Sequence, residues 1–312
     1  MTGVLSPSVF VPLGTIFGIQ SALTVAAYAF PVVIPVAAAD LGIAPESVGF
    51  LVSAIYVAGM VFGLTSGWLL ARLGPTRVFQ LLLLVAGAGM AALTIGTIEA
   101  AFLSAVLVGC ASGPMNPAGS QVLARLTTEK TRALVFSLKQ CGTPAGGMLA
   151  GAILPALMLS YGWQAAVLAI PAMGIVLLVL APFGSLGGRD LSAESQGGGR
   201  QNPFSAIKLV LTVPALRAMS FAGFGLAVCQ MALATYLVVF LWQSAGYAPA
   251  VAGLIFSVLH ASGIASRIAL GFIADSLIPA RWVLVLIGAV LCLALAAIAG
   301  LDSGWPIVAS SA

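Results

Sequence analysis

The stretch Gly67-Trp68-Leu69-Leu70-Ala71-Arg72-Leu73-Gly74-Pro75-Thr76-Arg77 occurs in this chain a second time, in altered form. Its echo is Gly271-Phe272-Ile273-Ala274-Asp275-Ser276-Leu277-Ile278-Pro279-Ala280-Arg281, and the offset is 204 at both ends (271 − 67 and 281 − 77). The register also holds upstream without a gap, where Pro45 matches Pro249, Gly49 matches Gly253, Ser53 matches Ser257 and Gly59 matches Gly263. A repeat of this kind restricts the chain to two copies of one architecture laid end to end.

The solvent for that architecture follows from charge. Hydrophobic residues make up 61% of the chain and charged residues 6%, against roughly 45–50% and 25% in soluble domains. No water-facing surface can be built from so few charges, so the chain reads as an all-α integral membrane protein. Cys110, Cys141, Cys229 and Cys292 lie in apolar runs without CxxC spacing, which suits packing rather than disulfides or metal. There is no Ser/His/Asp set, metal-ligand cluster or phosphate loop, so the sequence offers no enzyme and no cofactor. The net charge of +4 follows membrane topology and does not indicate nucleic acid. Residues 1–7 carry no Lys or Arg, and the apolar run behind them is too long for a signal-peptide core, so the first span reads as retained.

A spanning helix needs about 20 apolar residues. Runs between charged or turn-rich breaks predict helices near 9–37, 46–71, 78–97, 100–124, 132–159, 162–184, 215–243, 250–275 and 281–300, with a tenth beginning at Trp305. The one long break, Ser185 to Pro214, is rich in Gly and charge and reads as a flexible linker. The division is therefore a six-helix half over 1–185, a linker over 186–214 and a second half over 215–312.

Cations set the orientation. Arg72 and Arg77 follow helix two; Arg125, Lys130 and Arg132 follow helix four; Arg189, Arg200, Lys208 and Arg217 follow helix six; Arg281 follows helix eight. Loops after odd-numbered helices hold Asp40, Glu46, Glu99 and Asp302 but no Lys or Arg. By the positive-inside rule the even loops and the N-terminus are cytoplasmic. Two halves in the same orientation make parallel repeats about an axis along the membrane normal.

The two G-x-x-x-[D]-x-x-x-x-x-[R] loops resemble the signature loop of the major facilitator superfamily. Gly142-Thr143-Pro144-Ala145-Gly146-Gly147 is similar to that family's Gly-Pro…Gly-Gly motif in helix five. The resemblance implies a twelve-helix fold of which about nine complete spans are present, the sequence ending inside the tenth. It also implies that helices five and eight face each other across the halves. Gly67, Arg72, Arg77, Gly271, Asp275 and Arg281 would then serve gating, with Asp275 closing the cytoplasmic side against the helix-five N-terminus. Ala71 stands where the first loop of the family has its Asp, which weakens that role for Arg72 and Arg77. The competing reading is a plain topogenic loop.

Candidate solute contacts are polar residues at membrane depth. Lys139 lies about two turns into helix five, where an ammonium costs roughly 2.5–3.5 kcal/mol; it faces a cavity, or else snorkels to the surface. Arg267 sits at similar depth on helix eight, suited to carboxylate or phosphate, or else to an internal pair with Asp275. Gln140 neighbours Lys139. Asn116 lies in Gly113-Pro114-Met115-Asn116-Pro117, where freed carbonyls can line a cavity. His260 and Tyr28 are candidate contacts, with packing as the alternative for each. Two buried cations without a buried acid suit an anion. The expectation is a secondary transporter of a small, anionic solute in a bacterial-type inner (plasma) membrane. Its only partners would be solute and lipid, with proton coupling left open. The helix-five wording resembles permeases for cyanate-like and small organic anions. The alternatives are a multidrug exporter of the same fold and a non-transporting membrane sensor or fragment.

Overall fold

The computed structural model describes residues 7–186 and 209–276, together with 285–286, 288–290 and 292–293. The expected linker and the region around Arg281 and Trp305 lie largely outside these residues, and residues 285–293 give only fragments of the expected ninth helix. The described chain is helical throughout: α1 (Pro7–Leu41), α2 (Val48–Gly63), α3 (Ser66–Leu93), α4 (Ile98–Leu126), α5 (Glu129–Gln140), α6 (Gly142–Tyr161), α7 (Trp163–Leu180), α8 (Pro214–Val239) and α9 (Pro249–Ser276). Because α5 and α6 form one span interrupted at Cys141, eight segments among the described residues are long and apolar enough to cross a membrane.

Helix α1 is the hub. It is apolar on all sides, as a helix surrounded by others must be, and Ile16, Ile19, Ala26, Phe30, Val33 and Ala37 are all completely buried. Its internal Pro12, Pro31 and Pro35 do not end it, since in a bundle the neighbouring helices absorb the freed backbone groups. Both apolar cores of the protein are built on it, one on its first half and the other on its second.

Two departures from the expected helices have clear causes. The span read as 46–71 is interrupted at Leu64 and Thr65, whose N–H groups turn back to Val61 and Phe62. Its last residues, which include Gly67, fall in α3, as does Arg72 just after it. The reversal that the sequence placed near 72–77 comes at Gly74, with φ 74° and ψ 161°, inside the nominal α3. Only glycine adopts that conformation without strain, and Pro75 then starts the next turn with φ already set.

The second departure is the break at Cys141, where one unbroken helix over 132–159 was expected. Pro144 cannot donate to the carbonyl of Gln140, and its ring clashes with that carbonyl in a continuous helix. The ladder therefore stops at Gln140 and resumes with Ala145 N–H to Cys141 O at 3.0 Å.

Close packing between spans relies on glycine. A Cβ on Gly113 of α4 would strike the backbone of Gly59 on α2, so these helices approach through small residues as membrane pairs do. Helix α6 packs along α9 in the same way. A Cβ on Gly151 would meet Gly253 O and Ser257, and Ser257 Oγ donates to Met148 O at 2.7 Å. This contact joins the spans read from the sequence as helices five and eight.

Candidate functional site

A cavity of about 460 Å³ opens between α1, α2, α4, α6 and α8. Its wall is mostly aliphatic, with Met60, Met115 and Met231 among the lining residues, and it carries a small polar set: Gln20, Thr24, Tyr28, Tyr56, Ser112, Asn116 and Thr143. An apolar cleft with a few converging polar groups is the usual form of a small-molecule site. Of the residues singled out from sequence, Tyr28 and Asn116 line it.

The polar end is built around the break in helix five. Gln20 Nε2 donates to Thr143 Oγ1 at 2.8 Å, and Ser21 Oγ donates to Gly142 O at 3.1 Å. Gln20 is 3% exposed, and its Oε1 has no hydrogen-bond partner among the described residues; Ser112 Oγ is in the same position. Buried polar atoms normally find partners; these two oxygens are buried beside the cavity without one.

Lys139 stands behind this wall rather than in it. It is 1% exposed, and its Nζ donates to Asn116 O at 2.9 Å, Asn116 Oδ1 at 3.1 Å and Ser120 Oγ at 3.0 Å. All three ammonium donors are used, and every acceptor is neutral. Gly119 provides the space, since a Cβ there would lie 3.1 Å from Lys139 Cε. The expected direct exposure to the cavity is not found, and the alternative, a snorkel to the surface, is not adopted either: the ammonium turns to acceptors on α4. Asn116, exposed on the cavity side, separates the charge from the cavity. Ser120, one turn after Asn116 on the same face of α4, was missed in the sequence, although the i,i+4 spacing of two polar residues beside a buried lysine pointed to it.

Arg267 is exposed, and its Nη1 donates to Gln140 O at 3.0 Å. That carbonyl is the one Pro144 leaves without a helical donor, so a cation of the second half completes a broken ladder in the first. Gln140 thus contributes its backbone here, and its side chain does not line the cavity. The sequence alternative of an Arg267–Asp275 pair falls on a carboxylate outside the described side chains.

His260 is 7% exposed and lies against Gly147 of α6, where a Cβ would strike its ring. Its Nδ1 is 2.9 Å from Phe256 O; a carbonyl only accepts, so Nδ1 carries the proton. Tyr28 closes on this pair edge-on, at 4.8 Å to His260 and 5.4 Å to Phe256 between ring centroids. An aromatic cluster thereby joins α1 to α9 at one edge of the cavity.

Among the residues read as gating, the Arg72 guanidinium lies 5.2 Å over the Trp68 ring, a cation–π contact. Arg77 is exposed, and Gly67 faces open space. Gly271 and Asp275 are in α9, with their side-chain surroundings outside what the structure describes; Arg281 lies outside the described residues altogether. Among the described residues no group of His, Cys, Asp or Glu could hold a metal ion.

The sequence pattern of the Major Facilitator Superfamily matches residues 16–312. The chain belongs to that superfamily. Its members are membrane transporters and not enzymes, which agrees with the all-helical architecture described above. Among solved structures it is similar to a bacterial homologue of the human lysosomal transporter Spinster, in an inward-facing and occupied conformation. That match has a TM-score of 0.66 at 15% identity, over 88% of this chain and 63% of that one. It is also similar to a peptide transporter, POT, in complex with alafosfalin (TM-score 0.49, 19% identity, 74% and 52% covered) and in complex with sulfate (TM-score 0.46, 18% identity, 85% and 53% covered). No curated protein sequence matches it. At these identities the superfamily member shares a fold with the Spinster homologue, and it spans 63% of that protein's length.

Proposed function

We propose that this superfamily member is part of a secondary transporter that moves a small anion across a bacterial-type plasma membrane by alternating access. The observation that carries the reading is Lys139, a buried ammonium bonded only to neutral oxygens and set directly behind Asn116 in the cavity wall. A desolvated cation without a counter-charge makes the cavity attractive to an anion and repels a cationic solute. The weak resemblance to permeases for cyanate-like and small organic anions agrees with this. Even-numbered loops on the cytoplasmic side, a gating role for the repeated loops, and a coupling proton belong to the same reading and rest on charge placement and resemblance.

The test is uptake of labelled acetate and benzoate into proteoliposomes, with Lys139→Gln and Lys139→Met as variants. Anion uptake that falls at least tenfold in both variants while the protein stays folded is the expected result. Undiminished uptake in folded Lys139→Met would refute the assignment. A second reading, export of uncharged hydrophobic compounds, draws on the thioethers of Met60, Met115 and Met231, since flexible, polarizable side chains suit varied ligands. Uncharged-dye transport that survives Lys139→Gln would favour it.

A further inference from the structure

The cavity gathers its side-chain amides at one end and walls the other with aromatic rings, aliphatic groups and a thioether, and the geometry points to a solute built the same way: we infer that the anion is an organic one with an apolar tail, a carboxylate or similar head on a hydrocarbon body. This rests on the anion reading above and narrows it. Gln20, Thr143 and Asn116 share one end. Gln20 and Thr143 are bonded to each other, and Asn116 is bonded to Lys139, which precedes Thr143 by four residues on the same broken span. At the other end Ala27, Ile55, Met231 and the rings of Tyr28 and Tyr56 form the wall, with the two phenol hydroxyls as its polar atoms, and the same residues line a small recess with Val52, Pro31 and Thr235. Gln20 and Tyr28 are eight residues apart on α1, so the two ends are about 12 Å apart along the helix.

The head site has a specific chemistry. Because Lys139 Nζ donates to Asn116 Oδ1, the amide orientation is fixed, and Nδ2 is the atom left to face elsewhere. Asn116 Nδ2 has no hydrogen-bond partner among the described residues, and an ammonium on the opposite side of the amide polarises its N–H groups. Two polarised donors suit a carboxylate. Size argues against a triatomic anion as the best-fitting solute. A cavity of about 460 Å³ lies within the roughly 300–1,000 Å³ range of drug-sized ligand sites, and a water takes up only about 30 Å³. A cyanate-sized ion on the polar end would leave most of the apolar wall in contact with water.

The experiment is calorimetric binding to the whole chain in lipid nanodiscs, using acetate, butyrate, hexanoate, cyanate and the neutral amide of hexanoate. Affinity should rise roughly fourfold per methylene from acetate to hexanoate, the increment for burying a CH₂. Hexanoate should exceed both cyanate and the neutral amide by tenfold or more. Ala27→Phe, which fills the apolar end, should flatten the series while acetate still binds. Equal binding of acetate and hexanoate, or cyanate as tight as hexanoate, would overturn the tail site and leave the anion reading standing. Amide binding as tight as hexanoate, with no response to any short anion, would remove the anion reading as well.

Discussion

The bond between Arg267 and Gln140 O can be tested by returning to the helix the donor it lacks. Pro144→Ala restores an N–H at position 144, which can then reach Gln140 O as in an unbroken helix. In the native background Arg267 supplies that carbonyl's hydrogen bond across the two halves. A hydrogen bond from a charged group contributes about 1.5–3 kcal/mol, and the exposed setting of Arg267 puts this one near the lower limit. Arg267→Ala should therefore cost about 1.5 kcal/mol in the native protein and, like an ordinary surface change, at most about 0.5 kcal/mol in the Pro144→Ala background. The coupling between the two sites is then about 1 kcal/mol, well above the scatter expected for independent positions. At roughly 2–4 °C per kcal/mol for a chain of this size, thermal unfolding followed by intrinsic tryptophan fluorescence would resolve it. An equal loss of midpoint in both backgrounds would refute the reasoning, because the carbonyl would then not be what Arg267 serves.

Other packing and polar contacts make sharp predictions. Gly147→Ala should lower thermal stability by about 1–3 kcal/mol through collision with His260, and His260→Ala should recover most of that loss; an additive double mutant would show that the ring and the glycine do not meet. Lys139→Ala should destabilise by about 1–3 kcal/mol because Asn116 Oδ1 and Ser120 Oγ lose a donor inside the bundle, while Asn116→Ala combined with it should cost less than the sum of the single changes, both read as unfolding midpoints. Asp40 Oδ2 accepts the Trp163 indole N–H at 2.7 Å; Asp40→Ala should cost about 1–2 kcal/mol and red-shift Trp163 emission, and unchanged fluorescence would argue against the bond.

How much of this was legible in the sequence depends on the kind of interaction. The spans could be read because a bilayer demands long apolar runs, and some of the glycines that repeat in register in the sequence sit at helix contacts. Gly253, matched to Gly49, is pressed against Gly151. That Lys139 lies among apolar helices rather than at a water-facing end was legible too, but its direction was not. Whether an ammonium turns to a cavity, to the surface or to a neighbouring helix depends on which acceptors lie within reach. Those acceptors include a backbone oxygen that no residue name reveals. The helix-five break was written in Pro144, yet its consequence required knowing what stands across from Gln140 O, namely a residue 127 positions away. Thr143 and Ser112 were passed over because isolated hydroxyls in apolar helices are commonplace; only the cavity wall distinguishes them.

The pairing of Lys139 with α4 also bears on the order in which the protein is made. The acceptors Asn116 and Ser120 lie 23 and 19 residues ahead of the lysine. At about 5–20 residues per second, synthesis delivers α4 some one to five seconds before Lys139 emerges. The ammonium therefore never has to enter lipid by itself and meet the roughly 2.5–3.5 kcal/mol cost of a lone cation at the bilayer centre. It can enter already docked on the preceding helix, so α4 and α5 would be inserted together as a hairpin.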